Sequence, residues 1–341
     1  MRRQPRAHPV VTTTLAAAIA AIAVILIAHV TGADAIGRAF DDVDPGWIAV
    51  VAGAELLTYP AYITAYRTVA AIHGHAPLSL PLVSRIVVAG FGPFALGGGF
   101  GVDMRALEAI HEDERSARVR VMALGIFEWA ILAPTACVTA IVLLAQDANV
   151  MPSLLWPWAL AVPPCSALAL WASRPSRTER LSHVAGGRLE LLVQMLEGID
   201  GVRCMITEHP RRELGAWLGI CVYWAADIFA LWASLRTFGI DLGAGKLIIA
   251  YSTGYAATRR SLPLGGAGAT EALMTYALYW VREPLAPALA AVMLYRLFNF
   301  LLIAVPAVIA HRQLEPMLSG LAARRRQARM GPSRKSRGED E

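Results

Sequence analysis

Residues 259–271 read Arg-Arg-Ser-Leu-Pro-Leu-Gly-Gly-Ala-Gly-Ala-Thr-Glu and lie between two apolar runs. A glycine-rich break in a helix leaves free N–H groups where the second half begins, and these groups and the helix dipole favour an anion. With two guanidiniums a few residues upstream, phosphate is the natural ligand. The predicted phosphate-binding residues here are Arg259, Arg260, Gly265, Gly266 and Gly268. The alternative is that both arginines lie at the aqueous mouth of the turn and only help to set the orientation of the chain in the membrane.

A second stretch, 93–103, has the same ingredients: Pro93, a glycine run at 97–99, and Asp103 just beyond. Lipid cannot hydrogen-bond the backbone that such a turn leaves open. Each stretch must therefore be buried in protein or line a watery cavity, and we interpret each as the tip of a re-entrant hairpin.

The composition of the chain indicates a polytopic membrane protein. Of the 341 residues, 56% are hydrophobic and only 17% are charged, and the mean hydropathy is +0.48, which argues against a soluble protein. The net charge of +5 comes from arginines beside apolar runs, where anionic lipid and topology explain them better than nucleic acid does. The scattered cysteines predict neither a disulfide framework nor a zinc site, and no cofactor or metal is expected.

Apolar runs and basic loops predict an all-α protein of the cytoplasmic (inner) membrane with both termini in the cytoplasm. Residues 1–31 hold the first transmembrane helix, for which a signal peptide cleaved near Ala33-Asp34-Ala35 is the alternative. The remaining predicted parts are a first unit at 46–145 with a hairpin near 79–103, a linker helix and basic amphipathic segment at 153–212, a second unit at 213–311 with a hairpin near 246–281, and a basic disordered tail at 312–341.

Three short matches at nearly constant spacing predict that the second unit repeats the first. Residues 65–68 resemble 234–237, residues 98–101 resemble 265–268, and residues 121–129 resemble 292–300, at offsets of 169, 167 and 171. One extra crossing between the units inverts the second copy. Inverted repeats with broken helices near the midplane are typical of transporters.

Charges at membrane depth cost on the order of 2.5–3.5 kcal/mol each and usually pair or serve a pathway. The predicted cavity or gate charges are Arg85, Asp103, Glu128, Asp227 and Glu271. Because equivalent positions of an inverted repeat face each other, a pair between Glu128 and Arg296 is a further hypothesis, as a structural bridge or as a gate.

The run 262–268 followed by Glu271, and then the helix 288–300 with Tyr295, Arg296 and Asn299, resembles the C-terminal signature of the lysylphosphatidylglycerol synthase transmembrane (flippase-like) family. In that family a Pro-Gly-Gly-x-Gly-x-x-Glu turn precedes an Ala-x-x-Tyr-Arg-x-x-Asn helix. The turn at 93–103 departs from the family's first-half pattern. The resemblance covers roughly 46–311 and implies the lipid-translocating part of such proteins, without the soluble lipid-aminoacylating domain.

We therefore predict a flippase-like protein, not an enzyme, that binds and translocates an anionic phospholipid or a polyprenyl-phosphate lipid. Arg296 and Asn299 join the predicted phosphate-binding residues. No ATP-binding Gly-x-x-x-x-Gly-Lys-Ser/Thr motif is present, so pumping would need another energy source. The alternatives are a membrane-embedded enzyme, an accessory subunit that anchors a soluble lipid-modifying or glycosyl-transferring enzyme, and a small-solute secondary transporter.

Overall fold

The computed structural model describes residues 32–41, 43–72, 77–92, 99–110, 114–185, 189–208, 213–256, 266 and 268–330, with isolated positions between 18 and 30. Within these residues the secondary structure is helical, with no strand. In chain order the helices are α1 (Ala33–Ala39), α2 (Gly46–Val69), α3 (Leu80–Phe91), α4 (Gly99–Ile110), α5 (Glu114–Ala145), α6 (Pro152–Ala172), α7 (Pro175–Ala185), α8 (Glu190–Thr207), α9 (Leu214–Thr237), α10 (Ala244–Tyr255), α11 (Ala269–Trp280) and α12 (Leu285–Met330).

Five of the described helices, α2, α5, α6, α9 and α12, are long and apolar enough to cross a bilayer. The predicted all-α, polytopic membrane class is therefore confirmed. Most of the predicted N-terminal transmembrane helix, 1–31, lies outside the described residues.

The helices fall into two units of four, α2–α5 and α9–α12, with the same order of lengths. Each unit begins with a helix of 24 residues and continues with two helices of 12 residues. Each then ends in a long helix, of 32 residues in α5 and 46 in α12. This is the order that a duplication requires.

The first helices of the two units, α2 and α9, pack antiparallel along their whole length. Trp47 contacts Trp232 and Tyr62 contacts Tyr223, each with ring centroids 5.1 Å apart. Near the other end, a Cβ added to Gly219 would lie 2.7 Å from the carbonyl oxygen of Ala61. Because equivalent helices run in opposite directions, the second unit has the orientation that an inverted repeat requires.

The short helices of each unit pack against each other, and the first of them packs against the long helix of the opposite unit: α3 on α12, and α10 on α5. The approach of α10 to α11 is close, since a Cβ on Gly254 would lie 2.6 Å from Cβ of Met274. The turns between the paired helices, 93–98 and 257–267 apart from Gly266, lie outside the described residues. The second arm of the first hairpin runs on to Ile110, beyond the predicted end near 103.

The structure differs from the sequence predictions in two segments outside the hairpins. In the basic segment, α8 packs on α5. Its Val193 and Leu196 are buried, whereas Leu189 and Leu192 of the predicted apolar face are exposed. The predicted disordered tail, 312–341, is helical as far as Met330. The physical reason is a recurring apolar face, Leu314, Met317, Leu318 and Leu321, that packs on the core.

Candidate functional site

About one turn of α12 carries three polar side chains, and each bonds a carboxylate from a different helix. The pairs are Asn299 Nδ2 with Glu55 Oε1 of α2, Tyr295 OH with Asp227 Oδ1 of α9 (2.7 Å), and Arg296 Nε with Glu271 Oε1 of α11 (2.6 Å). All six residues are at most 4% exposed. We call them the central polar cluster; it joins the first helix of both units to the last helix of the second.

The carboxylate of Glu271 bridges the start of α11 and Arg296. Its Oε2 accepts a hydrogen bond from the backbone N–H of Gly268 at 2.5 Å, while Oε1 accepts from Arg296. Gly268 has a φ of +86°, a left-handed conformation that suits glycine. The helix start and the guanidinium therefore hold an anionic group together, and here that group is the protein's own carboxylate.

Arg296 is also packed against an aromatic ring. Its guanidinium carbon lies 4.5 Å from the ring centroid of Phe300, one turn further along α12. Cation–π contact and a charge-assisted hydrogen bond compensate part of the cost of burying the guanidinium. The arrangement fixes the direction in which the guanidinium points toward the hairpin of α10 and α11.

Asp227 accepts hydrogen bonds at both carboxylate oxygens. Tyr295 of α12 donates to Oδ1 and Tyr251 of α10 donates to Oδ2 at 2.6 Å. Since a buried carboxylate is costly unless it is hydrogen-bonded, the two phenols account for its position at 0% exposure. The residue ties α9 to α10 and α12.

Glu128 of α5 is linked to both first helices. Tyr62 of α2 donates to its Oε1 at 2.5 Å, and Trp224 of α9 donates through Nε1 to its backbone carbonyl at 3.0 Å. The ring of Tyr62 contacts Tyr223, whose hydroxyl lies 3.4 Å from that of Tyr255. Glu128 is thus bound by aromatic side chains of both first helices.

The structure brings together Asp227, Glu271, Arg296 and Asn299 of the predicted site, with Gly268 next to Glu271. Gly266, with a φ of +72°, also has a left-handed backbone. Three predicted residues, Arg259, Arg260 and Gly265, lie outside the described residues. The predicted charge Asp103 is fully buried in α4.

The predicted gate charge Arg85 lies away from this cluster. It is partly buried, and it donates to Oε1 of Gln313 at 3.0 Å and contacts the sulfur of Met317. Gln313 is fourteen residues beyond Asn299 on α12, which at 1.5 Å per residue is about 20 Å. Arg85 therefore fastens α3 to the far part of α12. Arg296, which the symmetry argument placed opposite Glu128, bonds Glu271.

Sequence reasoning missed Glu55, Tyr251 and Tyr295 as members of the site. Glu55 carried a signal, because it is an acid inside an apolar span. The tyrosines carried none, because buried tyrosines are common in helical cores. In the part of the chain that the structure describes, no group of three His, Cys, Asp or Glu side chains is arranged to hold a metal ion.

These features define an all-α, multi-pass membrane protein with charged groups buried between two inverted helix units. A family model for the lysylphosphatidylglycerol synthase TM region matches residues 13–307. The chain belongs to that family, and with it to the membrane proteins related to lipid metabolism. A search of curated proteins finds no match.

Proposed function

We propose that this protein moves an anionic phospholipid headgroup across the cytoplasmic membrane. The observation that carries the proposal is the bridging carboxylate of Glu271, which is bound by the N–H of Gly268 and by Arg296 deep between the helices. A position that holds one oxyanion with a backbone donor and a guanidinium offers the same donors to a phosphate. Membership in a family related to lipid metabolism supports the same conclusion.

In the proposed mechanism the lipid phosphate displaces Glu271 from Arg296 and from the start of α11. Arg259 and Arg260, close to this turn in the sequence, add positive charge. The phosphate replaces Glu271 as the anionic partner of Arg296, so the charge of the guanidinium stays compensated throughout. The acyl chains remain in the bilayer while the headgroup occupies the polar interior.

The neighbouring carboxylates narrow the kind of headgroup that fits. Glu55 and Asp227 are hydrogen-bond acceptors when ionised, so they favour a headgroup that carries donors beyond its phosphate. Phosphatidylglycerol, with a phosphodiester and two hydroxyls, has this chemistry. A headgroup with an amine would serve the same acceptors.

The two inverted units supply the conformational change. Exchange of their relative positions would expose the cluster first to one side of the membrane and then to the other. We place both termini and the basic segment of α7 and α8 in the cytoplasm, since arginine-rich loops remain on that side. Labelling of Cys204 in α8 by a membrane-impermeant maleimide tests whether this segment faces the cytoplasm.

Liposomes with a fluorescent phosphatidylglycerol and an outer-leaflet quencher test the proposal. Wild-type protein accelerates exchange between leaflets; Arg296→Lys, which keeps the charge but loses the Nε–H bond, lowers the rate at least about ten-fold. Arg85→Ala is the matched control because Arg85 lies outside the cluster, and it retains the wild-type rate. Correctly folded protein that does not accelerate exchange would contradict translocation.

The same preparation separates the alternatives. Chemical turnover of the lipid would assign a membrane-embedded enzyme. Folded protein without exchange or turnover, but with a bound soluble lipid-modifying enzyme, would assign an accessory subunit. Uptake of a water-soluble solute with no lipid exchange would assign a secondary transporter.

A further inference from the structure

Arg120 of α5 is a buried guanidinium with few hydrogen bonds. It is 1% exposed, and in the described part of the chain its Nε and Nη1 have no hydrogen-bond partner. Its Nη2 is the one guanidinium nitrogen that donates to a described residue, Oγ of Ser116, at 3.2 Å. A buried charge without a carboxylate or comparable acceptor is strongly unfavourable, so this side chain indicates a site for an anion.

The helix that packs over this part of α5 is α8. The two helices approach closely at Gly198, since a Cβ there would lie 3.2 Å from the carbonyl oxygen of Val119 and from the backbone nitrogen of Ala123. These two residues flank Arg120 in the sequence. One turn before Gly198, Gln194 is 1% exposed, and its Oε1 has no hydrogen-bond partner among the described residues. Each of these two packed helices thus buries a polar side chain with an unsatisfied atom.

The acidic side chains of α8 bond to other groups. Glu197 pairs with Arg115 at 2.5 Å, Asp200 pairs with Arg203, and Glu190 accepts from Nε2 of Gln194 at 3.1 Å. These contacts hold the acids of α8 in place. Arg120 therefore presents Nε–H and Nη1–H donors, and Gln194 presents an acceptor.

The level of Arg120 along α5 matches a lipid headgroup. The helix has 32 residues, more than the roughly 20 that span the hydrocarbon core, and Arg120 is in its second turn. It is eight residues from Glu128, or about 12 Å along the helix axis. The polar segment of α7 and α8 lies at this end of the helix.

We propose that Arg120 and Gln194 form a second, peripheral anion site at the crossing of α5 and α8, for a phosphate group. The phosphate oxygens accept from the guanidinium, and Oε1 of Gln194 accepts from a hydroxyl of the same ligand. The phosphate belongs to a lipid headgroup or to free phosphate. The site does not depend on translocation through the central polar cluster.

Lipid binding to the full chain in detergent tests the site. Wild-type protein, Arg120→Met and Arg118→Met are delipidated and titrated with phosphatidylglycerol, diacylglycerol or inorganic phosphate, and the unfolding temperature and the number of bound lipids are measured. Arg118 is the control because it is exposed on the same helix, where it bonds Glu114.

We expect phosphatidylglycerol, but not diacylglycerol, to raise the unfolding temperature of the wild-type protein and of Arg118→Met. Arg120→Met binds one phosphatidylglycerol fewer, or binds it about ten-fold or more weakly. Without ligand it is at least as stable as wild type, because a buried unpaired charge has been removed. A response to inorganic phosphate as strong as the response to lipid would identify free phosphate as the ligand.

Equal lipid binding in Arg120→Met and wild type would overturn the proposal. So would an equal loss in Arg118→Met, which would indicate only general attraction to the basic segment. Should Arg120→Met fail to fold, Arg120→Lys and Gln194→Met replace it. Weaker phosphatidylglycerol binding by both folded variants supports the site, and unchanged binding by both contradicts it.

Discussion

Asn299 of α12 donates a hydrogen bond to Glu55 of α2, and the residues at the equivalent repeat positions, Glu128 and Trp224, are also hydrogen-bonded to each other. Glu128 precedes Asn299 by 171 residues and Glu55 precedes Trp224 by 169, close to the repeat offset, and Trp224 donates to the carbonyl of Glu128. The last helix of each unit is therefore bound to the first helix of the other by matching contacts. In one contact the acceptor is the carboxylate of Glu55, and in the other it is the backbone carbonyl of Glu128.

Replacing Asn299 with Ala is expected to lower the free energy of unfolding by about 1–3 kcal/mol, because the buried carboxylate of Glu55 loses a donor. Glu55→Gln should cost less, since the amide carries no charge. Denaturant unfolding in detergent measures both. If the double variant costs as much as the two single changes added together, the two side chains are not energetically coupled.

Breaking the pair of Glu271 and Arg296 from one side should destabilise the fold more strongly. Arg296→Met leaves a buried carboxylate without its cation, and a loss of about 3–5 kcal/mol is expected. Adding Glu271→Gln to this variant removes the unpaired charge and should restore part of the loss. Thermal unfolding of the wild type and the two variants measures the effect, and no recovery in the double variant would argue against a direct pair.

The close contact of α2 and α9 makes Gly219 intolerant of a side chain. In Gly219→Ala the new Cβ would lie 2.7 Å from a backbone oxygen of Ala61, so the helices must move apart, at a cost of about 1–3 kcal/mol. Gly215→Ala, one turn earlier on α9, meets no atom within 4 Å and should leave stability unchanged or slightly higher. The two unfolding temperatures give the comparison, and equal values would contradict the antiparallel contact.

The thiol of Cys204 should react slowly at neutral pH. Burial raises the pKa of Cys204, a hydrogen bond with Glu208 and the charge of Asp200 raise it further, and Arg203 lowers it. Because only the thiolate attacks maleimide, labelling should increase mainly above pH 9, the ordinary value from which the pKa is raised. Variants with Cys137, Cys165 and Cys221 replaced isolate this thiol.

Glu208→Gln removes one cause of the raised Cys204 pKa, so labelling at pH 8 should become faster. Protein unfolded in dodecyl sulfate provides the reference profile. The prediction fails if folded and unfolded protein give the same dependence of labelling rate on pH.

The elements of the fold follow from local patterns: α2, α6 and α9 begin within one residue of the predicted starts of the first unit, the linker helix and the second unit, at 46, 153 and 213. Long apolar runs set these helices. Pro263 and the glycines at 265–268 lie between the two apolar runs that form α10 and α11. The disordered tail was predicted from its basic composition alone, which overlooked the apolar face that continues α12 past Leu314.

The partners within the site are less predictable than its members. An acid inside an apolar span marks Asp227 or Glu271 as a candidate whatever the neighbouring helices are. Which side chain it meets depends on how the helices rotate against each other, and a sequence gives no direct measure of that rotation. The bond from Arg296 to Glu271 and the two phenols on Asp227 are of this kind.

Tyr295, Arg296 and Asn299 hold three separate helices from within about one turn of α12. A rotation of that helix by a single residue, about 100°, would sever all three attachments at once. Such a rotation would therefore be costly, because it would leave several buried charged and polar groups without their partners. The proposed exchange of the two units therefore requires either that α2, α9 and α11 travel with α12 as one block or that all three bonds are exchanged in one cooperative step.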